Sequence, residues 1–446
     1  MSAAAGVAPG IAAQAEALAA LRRDLHAHPE LGFEESRTSD IVAERLAAYG
    51  IPMHRGVAGT GIVGVVHGRD GGVSGRRDGR GDGRAIGLRA DMDALPVQEQ
   101  NRFAHKSRHA GTMHACGHDG HTAMLLAAAQ ELARTRNFDG TVYLIFQPAE
   151  EGRGGAQAML QEGLFERFPM EAVFGMHNWP GLPAGSFAAS AGPVMASANT
   201  FRIVIHGRGA HAALPHLGVD PVPVACQTVL ALQTIVSRNL KPIEAAVLSV
   251  TMLHAGEATN VIPDACTIEG TVRTFSVAAL DLIEPRLRQI ATHTAAAMGA
   301  SCEVEFLRRA PPVVNSAHEA EFAAEVMRRV VGADNVRLQE PSMPSEDFAF
   351  MLQAKAGAYV FIGNGEGEHR HSGHGMGPCM LHNPSYDFND DLIPLGATYW
   401  LRLAESWLAA PRRDTNAAPP RPASSSASEP GSGTRFGAAE MARLPE

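Results

Sequence analysis

The chain has 446 residues, 45% of them hydrophobic, and a formal net charge of −9. That is enough apolar material for a large core spread over two or three domains. The acidic balance argues against a nucleic-acid partner, which calls for a basic face, and no apolar run reaches the roughly 18 residues of a membrane helix.

The Ala-rich N-terminus carries its basic residues after its apolar part, the reverse of a secretory signal, so it reads as a fraying tail and then a helix over 15–25. A second helix over 36–49 closes at Gly50, a favoured residue just past a helix end. Strands are expected at 61–66, 85–90, 141–146 and 172–176, with a helix over 122–134 between two of them. Strands alternating with helices predict an α/β layer. The Gly/Arg/Asp-rich stretch 68–84 has almost nothing to bury and reads as a surface loop. From about Ala196 the pattern becomes β-α-β-β-α-β: strand 200–207, helix 221–237, strands 246–254 and 266–275, helix 279–298, strand 302–307. That order is the ferredoxin-like split motif. A helix over 320–331, a strand at 358–365 and a helix over 392–408 return to the first texture. The expected architecture is therefore a mixed-sheet α/β catalytic domain (11–197 and 309–410) interrupted by an α+β domain (198–308). Residues 411–446 are Pro/Ser/Ala-rich and read as a disordered tail.

Four segments concentrate the chemistry: HACGHDGHTA (114–123), FQPAEEGRGG (146–155), GMHNWP (175–180) and LHNPSYDFND (381–390). They offer Cys116, His118, Glu151, His177 and His382, a thiolate, imidazole and carboxylate set suited to divalent metals. Glu150, beside Glu151, is then free to act as a base, which reads as metal-assisted hydrolysis. Each segment alone has a plainer reading: a buried cysteine beside a capping histidine, or a solvated acidic pair in a loop. His121 shares a helix face with His118 and either packs there or ligates. Asp119 can accept a ring N–H from a liganding histidine. Asp91 and Asp93, two apart at a strand end, face one side together. Cys116, Cys226, Cys266, Cys302 and Cys379 are odd in number and widely spaced, which fits a reducing cytoplasm better than a disulfide framework.

Nine ordered motifs carry a resemblance. They are HAHPELGFEE (26–35), RADMDALPVQE (89–99), MHACGHDGHTAMLL (113–126), FQPAEEGRGGAQAM (146–159), GAHAALPH (209–216), NVIPD (260–264), GTVRTF (270–275), SEDF (345–348) and HNPSYDFND (382–390). The chain resembles the co-catalytic metallo-amidohydrolases of the carboxypeptidase and aminoacylase type, in the branch of hippurate hydrolases and auxin–amino-acid conjugate hydrolases.

That resemblance implies two divalent metal ions per subunit, Mn2+ first and Zn2+ (or Co2+ or Ni2+) as alternative. Cys116, His118, Glu151, His177 and His382 match the ligands, and Glu150 the general base. Asp93 matches an acid that supports a metal-binding residue or the base. The inserted domain matches a lid and dimerisation module, whose His211, Asn260 and Arg273 match groups for the scissile carbonyl oxygen or the substrate carboxylate. His26 and His28 are expected to pack near the N-terminus. The implied activity is hydrolysis of N-acyl or N-aroyl amino acids by a homodimer. A dipeptidase or carboxypeptidase on the same scaffold, or a binding protein without chemistry, are the alternatives. Ala210 and Asn199 stand where the branch usually has Gly and often has Asp, and the loops at 68–84 and 366–378 look expanded.

Overall fold

The computed structural model describes residues 6–69, 83–367 and 380–409. Most of the 68–84 and 366–378 loops, and the tail from 411, lie outside the described residues.

The chain opens with a short helix α1 (Pro9–Ala12), then α2 (Ala15–Ala27) and α3 (Ser36–Ala48), and strands β1 (Met53–Val57), β2 (Gly61–His67) and β3 (Ala85–Asp91). Helix α4 (His118–Thr135), strand β4 (Thr141–Gln147), helices α5 (Gly155–Gln161) and α6 (Leu164–Arg167), and strands β5 (Ala172–Pro180), β6 (Phe187–Ala188) and β7 (Gly192–Met195) follow. The middle of the chain holds β8 (Ala198–His206), β9 (Ala210–His211), α7 (Pro221–Thr234), β10 (Ala246–His254), β11 (Val261–Ile262), β12 (Ala265–Thr274), α8 (Val277–Ala297) and β13 (Ser301–Ala310). It closes with β14 (Val313–Asn315), α9 (Ala317–Val331), β15 (Val336–Arg337), α10 (Phe348–Ala354), β16 (Gly357–Gly365) and α11 (Leu392–Ala409).

Eight strands make the large sheet, in the order β1-β2-β4-β3-β5-β16-β6-β15. Its centre, β4-β3-β5-β16, is parallel, and β1 and β2 add antiparallel strands at one side. The strand period of two sorts side chains onto two cores. Leu88, Leu144, Phe174 and Val360 face one core, shared with α4 and α11, while Ile145, Val173, Tyr359 and Phe361 face the other. Helix α4 is buried nearly all round, with an apolar middle over 123–129 and a buried polar first turn of His118, Asp119 and His121.

The second sheet has the order β10-β12-β8-β13, antiparallel throughout. This is the expected ferredoxin-like unit, with α7 and α8 covering one face around Ile203, Ile205, Ile268 and Leu287. Where the chain enters and leaves this unit, β7 and β14 pair antiparallel, with Met195 opposite Val313.

Some expectations shift. Helix α4 begins at His118, not Thr122, because Gly117 adopts φ +92° and turns the chain into the helix one turn earlier. A side chain there would strike Asn178 and Tyr386, with an added Cβ 2.3 Å from Asn178 Nδ2 and 2.5 Å from the Tyr386 hydroxyl. The helix expected to run to Ser237 ends as α-helix at Thr234 and finishes in a wider turn over Ile235–Asn239.

Candidate metal centre and active site

Strand ends and the loops that follow them assemble the site, as expected for an α/β sheet. Cys116 and His118 flank Gly117 at the start of α4, Glu150 and Glu151 follow β4, and His177 lies near the end of β5. His382 comes in from the segment before α11 with φ +63°, its backbone N–H donating to the Ala115 carbonyl at 2.7 Å. Cys116, His118, Glu150 and His177 are buried, and the His382 side chain is half exposed.

All five expected ligands meet. The donor atoms of Cys116, His118 and His177 lie within 4.8 Å of one another, and so do those of Cys116, Glu151 and His382. The two groups overlap at Cys116, whose Sγ is 3.3 Å from His177 Nε2. The histidine tautomers suit metal binding. His118 Nδ1 donates to the Asp93 carbonyl at 2.9 Å and His177 Nδ1 to the Asn178 carbonyl at 2.6 Å, so each Nε2 keeps its lone pair. His118 Nε2 and Glu151 Oε1 are both buried without a hydrogen-bond partner, although Glu151 Oε1 comes within 3.2 Å of His382 Nε2. Unpaired buried donors of this type are costly unless a cation takes them, so the residues fit a divalent metal.

Asp93 stands in a supporting position, in line with what the resemblance implies, its carboxylate 3.3 Å from His118 Nδ1. Its Oδ1 accepts the Glu150 backbone N–H at 3.0 Å and its Oδ2 the Glu151 N–H at 2.9 Å. It is a positioning residue, spent on the main chain of the base and of a ligand. Asp119 departs from expectation: it accepts from His26 Nδ1 at 2.9 Å instead of from a liganding histidine. His121 has no lone pair to offer a metal. Its Nδ1 donates to Asp91 at 2.6 Å and its Nε2 accepts the Asn178 backbone N–H at 3.0 Å.

Glu150 sits on strained backbone, since the preceding Ala149 has φ +54°, a region that costs a side-chain-bearing residue about 1 kcal/mol or more. The Ala149 N–H is tied to Glu35 Oε1 at 2.8 Å, which gives the HAHPELGFEE segment a task at the site. The backbone N–H of Asp347 donates to Glu150 Oε1 at 3.2 Å. Behind it, Arg89 reaches Asp91 at 2.6 Å, Glu346 at 2.8 Å and Gln147 at 2.9 Å, while Gln147 holds Asp347 at 2.7 Å and the Tyr359 hydroxyl donates to Glu346. Sequence reading left Arg89, Glu346, Asp347 and Asn178 without a role. The signal was there in RADMD and SEDF, but their partners are more than 200 positions apart.

The acid surplus marks the electrostatics. Burial, and then the carboxylates of Glu346, Glu151, Asp347 and Asp93, push the Glu150 carboxyl well above the usual range. Burial, Glu151 and Glu150 likewise raise the Cys116 thiol. With no cation bound, the burial of His118 is outweighed by Asp91 and Asp93, which raise it to about 10, so its Nε2 lone pair is freed for a metal only by displacing a proton.

A cavity of about 510 Å³ opens onto these groups. Trp179, Pro180, Met195, Met380 and Leu381 give it apolar walls, and Arg273 and Arg309 line it from the four-stranded unit. His211 and Asn260 do not line it. They are exposed together on the β9–β11 ribbon, where Ala212 N–H donates to the Asn260 carbonyl at 3.0 Å and His211 Nδ1 accepts from Ala213 N–H at 3.0 Å.

The profile of peptidase family M20/M25/M40 matches residues 87–406. The chain is a member of that family. Hippurate hydrolase of Campylobacter jejuni is 40% identical over 389 residues, 87% of this chain and 96% of that protein. N-acetylcysteine deacetylase of Bacillus subtilis is 37% identical over 390 residues, 86% of this chain and 95% of that protein. Among solved structures, a Bacillus subtilis protein described as a dinuclear metal binding peptidase of family M20 superposes with a TM-score of 0.75 at 34% identity, over 89% of this chain and 99% of that one. The scaffold is that of a hydrolase family, and the donor groups above are candidates to hold a metal ion.

Proposed function

We propose that this M20 member hydrolyses the amide bond of N-acyl or N-aroyl amino acids, releasing a carboxylic acid and an amino acid. It does so as a cytoplasmic homodimer with two divalent ions per subunit, manganese first and zinc second. The observation that carries the reading is the pairing of Glu150 with the donor set. A buried carboxylate borders a cluster of ligands in which His118 Nε2 and Glu151 Oε1 have no hydrogen-bond partner, and Cys116, Glu150, Glu151, His177 and His382 line one cavity. The 40% identity to a hippurate hydrolase supports the substrate class.

Cys116, His118, Glu151, His177 and His382 would hold the ions, which supply Lewis acidity to the scissile carbonyl. Glu150 takes the proton of the attacking water and returns it to the leaving amine. The Asp347 N–H holds Glu150 Oε1, which restrains the carboxylate at the cavity that Glu150 lines. Asp93 fixes the backbone of Glu150 and Glu151 together, so base and ligand hold a constant offset. Arg273 binds the substrate carboxylate, and the apolar walls take the acyl group and exclude water. His211 and Asn260 serve the carbonyl oxygen of the second subunit's substrate.

The test is to strip the protein with a chelator, reload it with Mn2+ or Zn2+, and measure the amino acid released from N-benzoylglycine, N-acetyl amino acids and free dipeptides. Release from the acylated compounds alone is expected. Preference for free dipeptides would move the enzyme to the dipeptidase reading, and no release after verified reloading would overturn the proposal.

A further inference from the structure

The cavity is lined by both signs of charge. Glu150, Glu151, Glu346 and Asp347 line it beside the ligand cluster, and Arg273 and Arg309 line it from the four-stranded sheet. Arg309 received no role above.

Arg308 and Arg309 are consecutive but face opposite sides of the four-stranded sheet. Arg308 is fully engaged on the helical side, 2.7 Å from Asp281 and 2.9 Å from Glu284. Arg309 turns to the open side, where its Nε donates to Thr200 Oγ1 at 3.3 Å. Among the described residues no carboxylate stands in ion-pair reach of it. On the open face it shares a second hollow with Glu269 and Glu305, neither of them in an ion pair with it. The register of β13 on β8 slips between Arg308 and Ala310, and such a slip re-aims the extra residue.

The slip places Arg309 level with Arg273. Asn199 on β8 pairs with Val272 on one side and Arg308 on the other, and the arginines follow those two residues. They therefore flank β8 at one height, two strand spacings or roughly 10 Å apart at the backbone, with Ala198 between them at the cavity wall. Ala198 is small enough to leave the gap open. Arg273 is half-buried, and burial, with no carboxylate set against it, lowers its pKa. A single substrate carboxylate engages one guanidinium as a fork, which leaves the second guanidinium in the same wall without a partner.

We propose that Arg309 forms a second anion subsite beside Arg273 and selects N-acylated acidic amino acids, aspartyl or glutamyl. This rests on the hydrolytic reading above and deepens it. Arg273 takes the α-carboxylate, and Arg309 takes the side-chain carboxylate with its Nη groups while Nε stays on Thr200.

The experiment compares N-benzoylglutamate with its uncharged counterpart N-benzoylglutamine on the metal-loaded wild type and on Arg309→Gln. Two readouts are taken on one preparation: kcat/KM for release of the amino acid, and Kd by calorimetry. The wild type should prefer the glutamate compound in both, and Arg309→Gln should lower that preference by about tenfold, as expected for one charge-assisted hydrogen bond at a partly open site. A wild type that favours the glutamine compound, or does not discriminate, overturns the subsite. So does an Arg309→Gln variant that weakens both ligands equally, which would mean that both arginines share the α-carboxylate. If neither compound is hydrolysed, the catalytic reading fails, and the Kd ratio still decides the subsite by itself.

Discussion

Asp93 holds Glu150 by its backbone: Asp93 Oδ1 accepts the Glu150 N–H at 3.0 Å, and the companion oxygen takes the next N–H, that of Glu151. Asp93→Asn keeps the shape but replaces one acceptor by a donor, which then faces a backbone N–H. A substitution behind a metal ligand typically costs roughly 10–100-fold in affinity or activity. Both kcat and metal affinity should fall together here, because base and ligand hang from one carboxylate. Metal titration and turnover of the same sample check this, and loss of one without the other would show that Asp93 serves a single neighbour.

Glu150→Gln should retain metal and lose turnover by roughly 10²–10⁴-fold, since the amide cannot accept the water's proton. Metal stoichiometry and rate are read on one preparation. Activity within about tenfold of wild type, set against that general-base contribution, would assign the base elsewhere.

Cys116→Ser should weaken the uptake of both Mn2+ and Zn2+, because a hydroxyl does not ionise as a thiol does and Cys116 belongs to both donor groups. Titrating the apo-variant with each metal decides it. His121, both of whose nitrogens are already engaged, is not placed to compensate.

Stability should depend on pH through His26. Burial would lower its pKa, but its hydrogen bonds to Asp119 and Glu99 outweigh that and raise it from 6.5 to about 9. A raised pKa means that the folded state holds the proton more tightly, so this contribution is complete below about 6.5 and is lost as pH climbs through 9. Thermal unfolding between pH 6 and 10 should show a falling Tm, with a flatter fall in His26→Gln. Equal slopes in the two proteins would show that His26 is not the group responsible.

His211 and Asn260 stand apart from the cavity of their own chain, which motivates a subunit-exchange test. Glu150→Ala and His211→Ala are each expected to be inactive. If His211 serves the other subunit, mixed dimers collect both lesions in one site and leave the other intact, restoring about a quarter of all sites after random exchange in a symmetric dimer. Continued inactivity after verified exchange would place His211 in its own subunit's chemistry.

Sequence alone reached the ferredoxin-like unit because each of its elements is long and strongly patterned, as in the strict alternation of buried and half-buried residues along β12. It missed β1, whose middle residues are exposed and polar, and α10, which is too short to show a period. At the site, the ligand types were legible because sulfur, imidazole and carboxylate are rare together. The supports were not. Arg89 and Glu346 are buried charges that make sense only as a pair, and pairing across 257 positions leaves no local pattern. Likewise Glu35 looks like any acidic residue at a helix start until its bond to the Ala149 N–H is seen.

The antiparallel pairing of Met195 with Val313 has a consequence for chain engineering. Because the two crossings into the four-stranded unit are neighbours in a ribbon, their Cα atoms are about 5 Å apart. The whole excursion can then be cut out and the gap spliced with a two- or three-residue linker, leaving the large sheet's connectivity undisturbed.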